Sequence, residues 1–342
     1  VLYPASDVIE IHELLRELRD KLVTSRPSKS LCQTMKRVAS QIEPRMYDRI
    51  VIAVDGSSEA KRAARRGLQL AQVFDATVNV LSVVERKALR LTETSDEKTQ
   101  LRERGEETLT EIENLASELG HPVTTKLTEG RPAVQISEYA NEQDADLIVI
   151  GRQGLTGLGR RLLGGVTEQV LHRSDIPVFV VSGGDDDGEI EADYSRILIT
   201  TDGSENAEVA IPHGTAIAQR YGSDVHVLNV VDLQAAGGMF NAGGLEKEFL
   251  ERLNARGQEA IDSVANKIEE SAPDLTVETA VERTASFEGA AAGVREYIEE
   301  NEVDLVIVGS HGRSDLKRQL IGSVASTVLR TVDVPVLVVK RS

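Results

Sequence analysis

Two glycine-rich runs have the residue types and spacing that hold phosphate. The better formed one reads Gly309-Ser-His-Gly312, then nine residues, then Gly322-Ser323-Val324. Gly309 and Gly312 lack a Cβ, so the backbone there can approach a ligand closely. Gly322 and Ser323 stand where a helix opens, and free N–H groups with the helix dipole favour an anion at such a point. Ser323 adds a hydroxyl that can cap the helix or touch a phosphate. The other run is Gly151-Arg-Gln-Gly154, nine residues, then Gly164-Gly165. It keeps the backbone donors and lacks the hydroxyl. One neutral hydrogen bond is worth about 0.5–1.5 kcal/mol, so its loss weakens binding by up to about tenfold. Arg160 and Arg161 could offset this by pairing with phosphate. The bland alternative is that the glycines only turn the chain and that Gly-Ser only caps a helix. Arg313, Lys317 and Arg318 read as a solvated helix face. His311 reads as an exposed loop histidine that could otherwise act as a base. The other histidines show no metal-ligand spacing.

The elements that must position these runs occur twice. Arg49-Ile-Val-Ile-Ala-Val-Asp55-Gly-Ser57 matches Arg196-Ile-Leu-Ile-Thr-Thr-Asp202-Gly-Ser204. Asp146-Leu-Ile-Val-Ile-Gly151 matches Asp304-Leu-Val-Ile-Val-Gly309, and Asp175-Ile-Pro-Val-Phe-Val-Val181 matches Asp333-Val-Pro-Val-Leu-Val-Val339. Similar blocks in the same order mean duplication. The copies span 49–182 and 195–342, with an acidic, Gly-rich linker at 183–194. The second copy is longer, with its extra residues near Gln234–Gly244. In the first copy, strands are expected near 49–54, 77–84, 123–127, 146–150 and 177–181, and helices near 58–74, 95–119, 132–142 and 165–173. Unbroken apolar runs such as Leu147–Ile150 mark parallel strands covered on both faces. Alternating strands and helices give α/β domains with doubly wound sheets. Such sheets bind ligands beyond the carboxyl ends of their strands. Asp55 and Asp202 end the first strands, and Gly151 and Gly309 end the fourth. The two aspartates could instead cap the helices that follow them.

Bulk composition excludes several functions. The 39 basic and 56 acidic residues give a formal charge of −17, which opposes nucleic-acid binding by bulk electrostatics. The lone Cys32 rules out an intramolecular disulfide and disfavours a cysteine-based zinc site, and suits a reducing cytoplasm. No apolar run approaches the length of a membrane span. The P-loop and dinucleotide fingerprints are absent, and so is any serine-hydrolase signature. No water-activating base lies near the phosphate runs. Binding is therefore expected, with at most slow hydrolysis or autophosphorylation.

The Asp blocks, the Gly-x2-Gly-x9-Gly-Ser run and the Val-Pro-Val endings together resemble the universal stress protein family, of the ATP-binding type. The resemblance covers about 49–342. It implies two tandem doubly wound parallel five-stranded sheets, related to the adenine nucleotide α-hydrolase fold, whose last strands at 177–181 and 335–339 pair antiparallel. It also implies roles in the second copy. Asp202 would bond the ribose or adenine, with Thr200 beside the adenine pocket. The Val230 backbone would read the adenine edge, and Gly309 would lie along the ribose. Gly312, Gly322, Ser323 and Val324 would hold the phosphates. Asp55, Val83, Gly151, Gly154, Gly164 and Gly165 take the corresponding places in the first copy. The implied ligand is ATP with Mg²⁺, although AMP or a cyclic nucleotide also fits, and the implied role is a stress-response or regulatory module in the cytoplasm.

Residues 1–48 fall outside the resemblance and are expected to form a helical extension. Asp7 and Glu10 are spaced as a capping box. Val8, Ile11, Leu15, Leu18 and Leu22 make one apolar stripe, and Leu31, Met35, Val38 and Ile42 a second. Packing on the domains or on a second copy in a homo-oligomer is the plain reading. The sharper one is the cytosolic tail of a membrane transporter, which the missing initiator Met and the basic stretch at 24–49 would fit. A third reading is an assembly protein that binds no nucleotide.

Overall fold

The structure is a computed structural model that describes residues 46–85, 95–155, 162–182, 193–237, 247–312 and 321–341. The helical extension, nearly all of the acidic linker, most of the Gly/Ala-rich loop, Arg160, Arg161, Arg313, Lys317 and Arg318 lie outside these residues.

The inner strands are short runs of Val, Ile and Leu whose side chains are nearly all buried on one face or the other, whereas those at 123–130 and 277–284 are mostly half-buried or exposed and carry polar residues. In the first half the strands are β1 (Arg49–Val54), β2 (Thr77–Glu85), β3 (Val123–Gly130), β4 (Leu147–Gly151) and β5 (Val178–Val181). Helices α1 (Ser58–Phe74), α2 (Ser95–Glu118), α3 (Pro132–Glu142) and α4 (Gly165–Arg173) alternate with them. Local chemistry sets the boundaries. Ser57 caps α1, Asp75 ends it in the left-handed conformation, and Pro132 opens α3. The second half repeats the plan with β6 (Arg196–Thr200), α5 (Glu205–Glu208), α6 (Ala210–Tyr221), β7 (Asp224–Asp232), α7 (Leu233–Gly237), α8 (Lys247–Ser271), β8 (Val277–Thr284), α9 (Ala290–Glu300), β9 (Leu305–Gly309), α10 (Ser323–Thr331) and β10 (Val336–Val339). Thus the one helix α1 becomes the pair α5 and α6 in the second half.

Each half is a parallel sheet, and the two join edge to edge. The strand order is β3-β2-β1-β4-β5-β10-β9-β6-β7-β8. The expected antiparallel pairing is present, with Phe179 opposite Leu337. The result is one continuous ten-stranded sheet with helices on both faces.

Two tyrosines lie deeper than the sequence suggests. Tyr47 and Tyr194, assigned to the extension and the linker, are core residues at 0% and 2% exposure. Each precedes the first strand of its half and meets an aromatic ring at the end of the following helix edge to face, Tyr47 with Phe74 and Tyr194 with Tyr221, both at 5.0 Å. Each also reaches across to the other half. The Tyr47 hydroxyl shares a 2.7 Å hydrogen bond with His213 Nδ1 of α6. Arg66 of α1, at the position matching His213, lies over the Tyr194 ring at 5.9 Å.

This contact predicts a pH dependence. Burial pushes the His213 pKa down to about 4, so the folded chain holds a neutral imidazole. The unfolded chain binds that proton from about pH 6.5 downward. The associated stability is fully present above that value and is lost as the pH falls toward 4. It amounts to about 2–3 kcal/mol. Denaturant unfolding at pH 7.5 and pH 4.5 should show this loss, and His213→Gln should reduce it. An equal pH dependence in both proteins would contradict the assignment.

Candidate functional site

The site in each half lies where the first and fourth strands end side by side. β1 pairs with β4, and β6 pairs with β9. After β1 the chain turns through Gly56 at φ +83°, and after β6 through Gly203 at φ +75°. Only glycine adopts such angles without strain, which explains Asp-Gly-Ser in both copies. Asp55 Oδ1 accepts the Ser57 N–H and Asp202 Oδ1 the Ser204 N–H, both at 3.0 Å. The helix caps are Ser57 and Ser204, which accept from Ala60 and Ala207. The alternative in which the aspartates cap these helices is therefore set aside.

The second carboxylate oxygen faces the glycine run. A Cβ placed on Gly154 would lie 2.3 Å from Asp55 Oδ2, and one on Gly312 would lie 2.5 Å from Asp202 Oδ2. Asp55 Oδ2 also accepts the Leu155 N–H at 3.1 Å. The strand-one acid and the second glycine of the run thus touch in both halves.

The run is anchored at two further points. Arg152 N–H donates to Val181 O, and Arg152 O accepts the Gly164 N–H. Ser310 N–H donates to Val339 O, and Ser310 O accepts the Gly322 N–H. These bonds place Gly164 and Gly322 as N-caps of α4 and α10, where neither offers a side chain to the first-turn N–H groups. Their φ values, −65° and −59°, suit any residue. What glycine leaves free at both places is space toward the loop. A Cβ on Gly164 would lie 3.0 Å from Arg152 O, 3.2 Å from Gln153 Cα and 3.7 Å from Gly154 N. On Gly322 it would meet Ser310 O, His311 Cα and Gly312 N at 3.3, 3.5 and 3.8 Å. A side chain at either place would fill the cradle between loop and helix.

Gly151 and Gly309 face the first helix of their halves. A Cβ on Gly309 would lie 2.3 Å from Asn206 O and 3.0 Å from Ala207 Cα, and one on Gly151 would lie 3.0 Å from Glu59 C. Backbone packing alone accounts for glycine there. Ser323 and Val324 are exposed at the start of α10, and a Cβ on Gly165 would meet open space. Thr200 ends β6, half-buried. Val83 and Val230 lie two residues inside the ends of β2 and β7 rather than at them. The Val230 side chain packs on α9, since a Cβ on Gly293 would lie 2.7 Å from it. His311 is half-buried and shares a 2.9 Å hydrogen bond with Ser310 Oγ, which replaces the exposed-loop reading.

Two residues escaped the sequence reading. Glu59 Oε2 accepts the Gln153 N–H at 2.6 Å, which puts a carboxylate on the first-half loop. The matching residue of the second half is neutral Asn206, whose side-chain amide donates to Gly312 O at 3.4 Å. The difference is visible when the two copies are aligned. The other residue is Arg152, whose side chain is 1% exposed.

The comparisons with known proteins agree with this architecture. The model of the universal stress protein family matches residues 46–182 and 193–340. A universal stress protein of Mycolicibacterium smegmatis is 30% identical over 298 residues, covering 85% of this chain and 96% of the relative. One from Methanocaldococcus jannaschii is 40% identical over 140 residues, covering 40% of this chain and 82% of its own length. Among solved structures, a universal stress protein from Archaeoglobus fulgidus aligns with a TM-score of 0.64 at 20% identity, over 87% of this chain and 97% of its own, a likeness of fold. The chain belongs to the universal stress protein family, with one family domain in each half.

Proposed function

We propose that the chain binds adenine nucleotide, ATP in first place, at both loop-and-helix cradles, and that bound nucleotide is the signal of a stress-response module. The observation that carries this is the pair of cap glycines. In both halves the space that a Cβ would take lies between uncapped first-turn N–H groups and a glycine loop. That is the setting in which a helix N-terminus holds an anion. Among the described residues no cluster of His, Cys, Asp or Glu is arranged to hold a metal ion. Mg²⁺ is proposed to accompany the nucleotide on its phosphates. No described helix is long and apolar enough to cross a membrane.

The second half is the stronger site on two counts. It offers the Ser323 hydroxyl where the first half has Gly165, and neutral Asn206 where the first half has Glu59. A carboxylate beside the loop repels phosphate charge. Exchange variants test this. Gly165→Ser has open space for its side chain, and Glu59→Asn copies the second half. Together they are expected to tighten ATP binding in the first half about tenfold or more, and Ser323→Gly to weaken the second up to about tenfold. Calorimetric titration reads both. Unchanged constants in all three variants would remove the proposed basis of the inequality.

A further inference from the structure

Arg152 sits inside the glycine run of the first half, yet its side chain leaves that half. It is 1% exposed, and Nη1 donates to Val332 O at 2.9 Å. Val332 is the C-cap of α10. Nη2 stands 3.8 Å from Asp333 Oδ1. A cation at a helix C-terminus is favoured by the dipole and by the carbonyls left over there. The same backbone unit of Arg152 holds Gly164, the cap of the first-half cradle.

The opposite end of α10 is the second-half cradle. A nine-residue helix thus runs from the Arg152 guanidinium to Gly322 and Ser323. Neighbouring contacts follow the same line. Ser182 Oγ donates to Asp333 O at 2.7 Å, and Glu168, in the first turn of α4, pairs with Arg330 in the last turn of α10 at 3.5 Å. On the reverse path Ser310 holds the place of Arg152 and its hydroxyl bonds His311 beside it, so the loop itself sends no cation across; the end of α4 is met instead by Lys340, beyond β10, whose Nζ donates to His172 O at 3.0 Å.

We propose that Arg152 is a positioning residue that couples the two nucleotide sites, so that nucleotide in the first half tightens binding in the second. This rests on the nucleotide reading above. Phosphate bound to the first loop fixes the Arg152 backbone and holds its guanidinium on Val332. That fixes α10 and the donors at its other end. The buried guanidinium cannot turn to the phosphate itself. Coupling is reciprocal, so the first site gains as much as the second.

The test is calorimetric titration of the full chain with ATP and Mg²⁺. Gly165→Glu closes the first cradle by charge, in open space and without harm to the helix start. Ser323→Glu closes the second in the same way. These variants give the two single-site constants. Wild type is expected to bind its two nucleotides at least about fivefold more tightly than the product of those constants. With Arg152→Met, which keeps the buried volume without the donors, that excess is expected to vanish. Arg152→Lys is expected to restore part of it. A purely structural role would lower the melting temperature and leave the excess in place. An excess unchanged by Arg152→Met, or no excess in wild type, overturns the coupling alone. Absence of ATP binding in wild type overturns the nucleotide reading and the coupling with it.

Discussion

Gly309→Ala is expected to destabilise the chain by about 3 kcal/mol or more, the largest effect of any single methyl group at the sites described. The added carbon would stand 2.3 Å from Asn206 O and 3.0 Å from Ala207 Cα. These are backbone atoms at the start of α5, so no side chain can rotate to make room, and β9 and α5 must move apart. The matching Gly151→Ala brings its carbon to 3.0 Å of Glu59 C and 3.2 Å of Ala60 N. A shift of a few tenths of an ångström relieves that, and about 1–2 kcal/mol is expected. Gly165→Ala meets nothing within 4 Å and should stay within about 0.5 kcal/mol of wild type. Denaturant unfolding of the three variants checks the order. Equal losses at 309, 151 and 165 would mean that the glycines are not set by helix packing.

Gly322→Val and Gly164→Val are expected to remove ATP binding from their own halves, each by about a hundredfold or more. The wanted conformation is open to valine at both places, with φ near −60°, so the fold should survive. What changes is the cradle. At 322 the new side chain would start within 3.3–3.8 Å of Ser310 O, His311 Cα and Gly312 N, and its methyl groups would occupy the approach to the loop and cover the first-turn donors. Losing two or more charge-assisted hydrogen bonds of about 1.5–3 kcal/mol each gives at least that factor. At 164 the starting contacts are tighter, 3.0 Å to Arg152 O, so part of the loss there comes from displacement of the loop itself.

The frame of the molecule is legible in its residues because the punctuation is local. Asp-Gly-Ser at 55–57, Pro132 and the Gly164-Gly165 pair each act on their own few residues. The helices at 58–74, 132–142 and 165–173 accordingly fall where periodicity and caps put them. The joining of the two sheets through β5 and β10 was legible only through family resemblance, since two Val-rich strands can lie at outer edges equally well. Tyr47 was not legible as core, because its burial depends on Phe74 at the far end of α1 and on His213 in the other half. Arg152 was missed for the same reason. An arginine between loop glycines reads as solvated, and its carbonyl partner lies 180 residues further along the chain. Glu59 against Asn206 is legible once the matched Asp-Gly-Ser blocks are extended by two residues into the helices that follow them.

The central claim is that each half holds one adenine nucleotide at its loop-and-helix cradle. Calorimetric counting of ATP bound per chain, in wild type, Gly322→Val and Gly164→Val, tests it most directly. The account predicts two nucleotides on wild type and one on each variant, with the weaker remaining affinity in Gly322→Val. The same stoichiometry and affinities in all three proteins would contradict it.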